Sequence, residues 1–292
     1  MLADPNILRL GLPKGRMQEG VLALLADAGI KVAVASRGYR PSVSLEAVEA
    51  KILKPQNIIE MLDVGSRDLG FAGADWVAEL GADVVEVLDT GLDKVRIVAA
   101  APRDVLVGGA LPKRPLVIVS ELERLTRRWA EKRGQNDRFV RSYGATEVFP
   151  PEDADCIVDV TASGATLEAN GLVIVEDLLR SSTRLYASKA AMANPGKRQR
   201  IDDVALLVAS VLEARKRVML ELNVPADKLE AVIEVLPCMR EPTVSRLHSG
   251  GKETGYAVKA AVPRDKLATL IPLLKSRGGS DLVISPIAQV VP

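Results

Sequence analysis

Two hydrophobic rhythms alternate along the chain. Residues 7–13 (ILRLGLP) form a short apolar run of strand length, and residues 17–30 (MQEGVLALLADAGI) repeat apolar positions at the three- and four-residue spacing of an amphipathic helix. LEAVEAKIL (45–53) and IIEMLDVG (58–65) read as further short elements before DLGFAG (68–73). KVRIVAAAP (94–102), PLVIVSE (115–121), RFVRSYG (138–144) and CIVDV (156–160) read as buried strands of mostly parallel type, with the polar helix LERLTRRWAEKRG (122–134) among them. The pattern is that of an α/β fold.

After TLEANGLVIVEDLL (166–179), which reads as a helix or a second strand, Pro195, Gly196 and a basic cluster precede a long amphipathic helix. Beyond it, VMLELNVP, ADKLEAVIEVLP, YAVKAAVP, RDKLATLIPLLKSRG and DLVISPI run β-α-β-α-β. An added strand around TVSRLHS (243–249) completes a ferredoxin-like βαββαβ unit. The expected organisation is an α/β lobe of residues 1–95 and 185–215, a second lobe of 96–184 inserted in it, and a separate small domain over 218–292. A cleft between the lobes is the expected substrate site.

Composition narrows the function classes. A chain of 292 residues, 48% hydrophobic, buries a substantial core in two or three domains. Lys and Arg number 39 against 38 Asp and Glu, so no bulk charge favours nucleic acid or an anionic membrane, and anion binding must be local. The start of the chain has no apolar signal segment and no apolar run reaches membrane-spanning length, so a cytoplasmic location is expected. Cys156 and Cys238 stand far apart, without metal-site spacing, and read as structural thiols. The lone His248, in LHSGGKETG, reads as a solvent-exposed imidazole.

The segment DVTASGATLEANGL (159–172) carries the clearest chemistry. A strand ending in Asp159 is followed by Thr161, Ala162, Ser163, Gly164, Ala165 and Thr166, whose small side chains leave the backbone N–H groups free to converge on an anion. Ser163 and Thr166 add hydroxyls, Gly164 permits a positive φ, and Asp159 is suited to accept hydrogen bonds from paired sugar hydroxyls. A tight turn with an ordinary cap is the alternative reading of the same pattern.

The segments LGLPKGRM (10–17), DLGFAGADWVAE (68–79), GATEVFP (144–150) and DCIVDVTASGATLEANGL (155–172) together resemble the ATP phosphoribosyltransferases. The pattern NVP, LPCMREPTVSRL and SDLVISPI near the C-terminus resembles the regulatory domain of the family's long form. The sequence departs from the family pattern in KPQNII (54–59), where Arg-Pro-Gln-Asp-Ile-Pro is usual, in Glu152, where Gly is usual, and in VFPPED, one residue short.

The resemblance implies a two-lobe, periplasmic-binding-protein-like catalytic core with a ferredoxin-like (ACT-like) C-terminal domain. The implied reaction moves the phosphoribosyl group of phosphoribosyl pyrophosphate to N1 of the adenine of ATP, releasing pyrophosphate with Mg2+ as helper, at the first step of histidine biosynthesis. Residues 161–166 then grip the 5-phosphate and Asp159 the ribose hydroxyls. Lys14, Gly15 and Arg16 in the first strand-to-helix loop, with Lys54 and Asp75, form the ATP and phosphate side; Lys94 and Arg96 add positive charge, and Glu147 supports the phosphoribosyl loop or ends a strand. Magnesium is expected to be held mainly by the substrate's pyrophosphate.

Asn223, Met239, Glu241, Thr243 and Asp281 match the family's effector pocket for histidine, and a homo-oligomer, dimer or hexamer, is implied. A two-lobe α/β pattern also suits a small-molecule receptor, a regulator's effector lobe or a subunit that binds nucleotide without turnover. The first lacks a signal segment and the second a helix-turn-helix segment.

Overall fold

The computed structural model describes residues 6–34, 38–248 and 255–291. They fall into two compact units, Met1–Ala26 with Ile30–Ala205, and Asp27–Gly29 with Leu206–Pro292.

The first unit opens with β1 (Leu8–Pro13), α1 (Arg16–Asp27), the short pair β2 (Val32–Ala33) and β3 (Ser42–Val43), β4 (Val48–Leu53), α2 (Pro55–Asp63), β5 (Leu69–Gly73) and α3 (Ala74–Leu80). Met17, Val21, Leu24 and Leu25 form the buried stripe of α1, and Ile58, Ile59 and Leu62 that of α2, which starts with Pro55 in its first turn. Helix α2 lies very close to the sheet because β1 and β5 carry glycines beneath it. A Cβ on Gly70 would come within 2.5 Å of Ile58 Cγ2, and one on Gly11 within 3.1 Å.

The chain continues through β6 (Val84–Pro102), β7 (Val117–Ser120), α4 (Glu123–Arg133), β8 (Arg138–Arg141), β9 (Cys156–Thr161), α5 (Ala165–Ala169), β10 (Leu172–Ser188), α6 (Lys189–Ala193) and α7 (Pro195–Arg215). One eight-stranded sheet results, in the order β4-β1-β5-β10-β6-β9-β7-β8. Its outer strands are parallel: β4 and β5 to β1, and β8 and β9 to β7. The central β6 and β10 are antiparallel to each other and to the strands beside them.

The expected lobe boundaries at 95/96 and 184/185 thus fall inside β6 and β10, which run unbroken through both halves. Strand β6 begins ten residues before the apolar run that signalled it, at Val84 rather than Lys94. It reads as continuously apolar near its end because both its faces are covered. Ile97, Ala99 and Ala101 pack with Ile118, Trp129 and Val158 on one side, and Val98 and Ala100 with Val119, Ile157 and Leu167 on the other.

The second unit adds β11 (Arg217–Val224), α8 (Leu229–Ile233), β12 (Thr243–Arg246), β13 (Tyr256–Pro263), α9 (Leu267–Ser276) and β14 (Ser280–Pro286). Its antiparallel sheet, ordered β12-β13-β11-β14, has the ferredoxin-like arrangement. Val218, Leu220, Leu222 and Val224 alternate onto the covered face, against Val232, Leu270 and Leu274.

Candidate active site

Strand directions bring the two halves of the first unit to one place. Strand β5 ends at Gly73, opposite Thr183 of the antiparallel β10. Strand β9 runs antiparallel to β6, hence along β10, and ends at Thr161 opposite Arg96, which itself lies opposite Arg180. The C-terminal ends of β5 and β9 therefore point at each other across residues 180–183, about 10 Å of strand. Strands β1 and β4 are parallel to β5, so the loops holding Lys14 and Lys54 open toward the same crossing, and the Lys14 N–H donates to the Leu53 carbonyl at 2.8 Å.

At the crossing lies a cavity of about 550 Å³ lined by Asp89, Lys94, Val95, Arg96, Ala162, Arg180, Ser181, Ser182 and Arg184. Four cations face one carboxylate there. Arg96 is paired with Asp177 at 2.8 Å, and Arg184 with Glu86 at 2.7 Å. Lys94 and Arg180 are exposed and have no hydrogen-bond or ion-pair partner among the described residues, so their charge is available to a ligand. Hydroxyls fix the wall behind them. Ser182 Oγ donates to Asp89 Oδ1 at 2.7 Å and Thr183 Oγ1 to Asp93 Oδ2 at 2.7 Å.

The small-residue loop stands at the end of β9 as the sequence suggests. Ala162, Ser163, Ala165 and Thr166 are exposed, and Gly164 takes φ +91, a region closed to branched side chains. The Gly164 N–H donates to Thr161 Oγ1 at 2.9 Å and that of Ala165 to Ser163 Oγ at 3.3 Å. The N–H groups of Ala162, Ser163 and Thr166 have no protein acceptor among the described residues. Helix α5 is only five residues long, so the loop's own donors, more than a helix dipole, suit it to an anion.

Asp159 is half-buried two residues before the strand end that faces the cavity, because β9 continues past the expected end at Asp159 to Thr161, which pairs with Arg96. Burial pushes its carboxyl up to about 6; Glu147 and Glu121 push the same way, and only the Val160 N–H, 2.7 Å from Oδ1, opposes them. Glu147 thus lies within electrostatic reach of Asp159. Asp75 does not line the cavity: its side chain is buried, and Ser181 Oγ donates to its Oδ1 at 2.8 Å while accepting the Asp75 N–H at 3.0 Å. Its visible role is to hold Ser181, a wall residue, from behind.

Lys14, Gly15, Arg16 and Lys54 are all exposed, and Lys14 Nζ lies 5.2 Å from the centre of the Tyr39 ring and 3.5 Å from its hydroxyl. Cys156 is fully buried and its thiol is raised to about 12 by burial, which removes it as a nucleophile; Cys238 is half-buried. His248 is exposed, while residues 249–254 of its loop lie outside the described residues.

The sequence reading missed Arg180, Ser181, Ser182 and Arg184. The available signal was RSSTR (180–184), a polar hydroxyl run in the middle of a segment otherwise apolar enough for a buried strand.

In the second unit, Asn223 Nδ2 donates to Asp281 Oδ2 at 3.0 Å, and Asp281 takes φ +51. Asn223 lies opposite Ala257, and Thr243 opposite Lys259, so the two polar side chains share the face of the sheet turned away from the Val218–Val224 core. Met239 is half-buried and Glu241 exposed in the loop before β12, and among the described residues no hydrogen bond joins either to the other three. No group of three or more His, Cys, Asp or Glu among the described residues is placed to hold a metal.

Comparison with known proteins matches a family model to each of two parts of the chain. Residues 54–210 match the family described as ATP phosphoribosyltransferase (HisG), and residues 214–289 the family described as the HisG C-terminal domain. The chain is 37% identical over 290 residues to an ATP phosphoribosyltransferase of Pelotomaculum thermopropionicum, covering 98% of this chain and 99% of that protein. It is 38% identical over 282 residues to that of Chlorobaculum parvum, covering 95% of each. Among solved structures, the ATP phosphoribosyl transferase (HisG:HisZ) complex from Thermotoga maritima matches in fold with a TM-score of 0.63 at 24% identity, over 71% of this chain and 99% of that one.

Proposed function

The chain belongs to the ATP phosphoribosyltransferase family, an enzyme of the first step of histidine biosynthesis, and from that premise we propose that the cleft at the β6/β10 crossing is where phosphoribosyl pyrophosphate and ATP meet. The observation that carries this reading is the convergence of the β5 and β9 ends on residues 180–183, which faces an anion cradle toward cation-bearing loops.

In this reading the 161–166 loop binds the 5-phosphate through its N–H groups and hydroxyls, and ionised Asp159 accepts the ribose hydroxyls. Adenine N1 uses its own lone pair to attack the anomeric carbon as the bond to pyrophosphate breaks, so no protein nucleophile is required. Positive charge grows on the sugar ring and negative charge on the departing pyrophosphate, and fixed charges placed for both supply most of the rate. Lys94, Arg96 and Arg180 face the leaving pyrophosphate, and Lys14, Arg16 and Lys54 the triphosphate of ATP; Asp75 acts through Ser181.

Mg2+ would come with the substrate, since among the described residues no group of acids is placed to hold a metal by itself and a hard cation prefers phosphate oxygens. It would rest mainly on pyrophosphate oxygens and neutralise their charge.

Histidine inhibits by binding the second unit at Asn223, Thr243 and Asp281, with Met239 and Glu241 at the pocket's edge, and by favouring one global state over another. The enzyme works as a homo-oligomer in the cytoplasm. No helix among the described residues is long and apolar enough to cross a membrane, and nothing in this reading calls on nucleic acid.

Substrate-specific kinetics test the assignment. Lys14→Met is expected to raise KM for ATP about 10-fold while Gly164→Val removes phosphoribosyl pyrophosphate binding. Loss of the same substrate in both variants would show that the two sides have been misassigned. Thr243→Ala with Asp281→Ala should weaken histidine inhibition and leave uninhibited turnover intact; unchanged inhibition would remove the pocket from the second unit's sheet face.

A further inference from the structure

Arg67 occupies the turn before β5 and is 9% exposed, yet among the described residues its Nη1 has no hydrogen-bond partner. A buried guanidinium edge without an acceptor is costly, and charged groups are seldom left so. The nearest acid is already consumed: Asp68 receives Arg9 through Nε at 3.0 Å and Nη2 at 2.9 Å, and Lys197 Nζ at 2.9 Å.

Lys51 and Arg40 add to the positive charge, and Arg40 is brought alongside β4 by the Ile52 N–H, which donates to the Tyr39 carbonyl at 2.9 Å. Sheet register puts Glu49 opposite Arg9 and Lys51 opposite Gly11, so Lys51 stands on the face of the sheet that carries Arg9. The Lys51 ammonium is disfavoured first by Arg67, then by burial and Arg40, and the Arg67 guanidinium first by burial, then by Arg9. Glu49 is the remaining carboxylate whose charge reaches the group, and it is exposed. Like charges are thus held together around an open donor, at the opposite end of β5 from Gly73 and the cleft.

We propose that Arg67, Lys51 and Arg40 form a second anion site that takes a phosphate-class dianion, with Arg67 Nη1 as its buried donor. This site is separate from the phosphoribosyl loop and takes no part in the transfer.

Calorimetric titration with inorganic phosphate at constant ionic strength tests it, using the full-length protein in a Gly164→Val background to remove the cradle at residues 161–166. Phosphate binding is expected to persist in Gly164→Val and to weaken at least 10-fold when Arg67→Met is added, the loss of one charge-assisted hydrogen bond. Lys51→Met, at a half-exposed position, should weaken it in the same direction and covers the case in which the Arg67 variant does not fold. Arg67→Met alone should leave the rate of pyrophosphate release unchanged. Phosphate affinity indifferent to both substitutions, or absent from Gly164→Val, would overturn the proposal. So would an Arg67→Met variant that changes oligomeric state while keeping its phosphate affinity, since the guanidinium's partner would then be another chain.

Discussion

Replacing Asp159 by Asn should make the protein more stable and the enzyme inactive. The carboxyl is raised from 3.8 to about 6, first by burial and then by Glu147 and Glu121. Each tenfold shift of a proton equilibrium is worth about 1.4 kcal/mol, so ionising Asp159 in the folded state costs about 3 kcal/mol.

The sign follows from which state holds the proton. Between pH 3.8 and about 6 the folded protein binds more protons at this position than the unfolded chain does, so its contribution to stability falls as pH rises through that window. Asn keeps the shape of the neutral acid and cannot ionise. The stability difference between Asp159→Asn and the parent should therefore be near zero at pH 4 and grow to about 3 kcal/mol in favour of Asn at pH 8. Urea unfolding at fixed protein concentration reads this difference directly, because other titrations cancel between the two proteins.

Transfer should fall by at least about 100-fold, since each hydrogen bond from a sugar hydroxyl to the carboxylate is worth about 1.5–3 kcal/mol. A stability difference that is flat with pH, or an Asn variant less stable at pH 8, would refute the burial argument. Normal activity would refute the assigned role.

The parent's kcat/KM should decline as pH drops through about 6, where Asp159 takes up its proton, and this inflection should be absent from Asp159→Asn. Gly164→Val should abolish transfer with an unchanged circular dichroism spectrum, because a β-branched residue is strained at φ +91 and its Cβ would lie 3.4 Å from Ile174 Cδ1; appreciable turnover would remove Gly164 from the cradle. Ser181→Ala should destabilise more than Asp75→Asn in thermal unfolding, because it strands a buried carboxylate whereas Asn still accepts the serine proton; the reverse order would undo the reading of Asp75 as Ser181's support. Arg180→Ala should raise the KM of a phosphate-bearing substrate about 10-fold without changing the melting temperature, since Arg180 is exposed and unpaired; a lowered melting temperature would mark it as structural.

Much of this architecture is legible in local sequence because strand and helix periods are local. The βαββαβ unit follows largely from local periodicity, as in RVMLELNV, where every second residue enters the core, whereas β12 is exposed at all four positions and is held by its pairing with β13. The exposed small-residue loop after β9 is legible because small side chains with Gly164 mark a break between a strand and a helix, although β9 itself runs two residues past Asp159 to Thr161. The first half of β6, residues 84–93, is not, since VVEVLDTGLD mixes polar and apolar positions and gains its strand conformation from long-range pairing with β10. The same holds for RSSTR. Ser181 finds Asp75 across 106 positions of sequence, and no local pattern reports that pairing or separates Asp75 as a support from Asp75 as a contact. The open Nη1 of Arg67 among the described residues is likewise a fact of three dimensions, because its neighbour Asp68 is drawn to Arg9 and Lys197.

The most direct test of the central claim is the release of pyrophosphate by the purified chain from ATP and phosphoribosyl pyrophosphate with magnesium, followed with and without Asp159→Asn. The account predicts turnover that requires both substrates, yields one pyrophosphate per phosphoribosyl-ATP and is lost in the variant. Absence of turnover in the parent, or equal turnover in parent and variant, would contradict it.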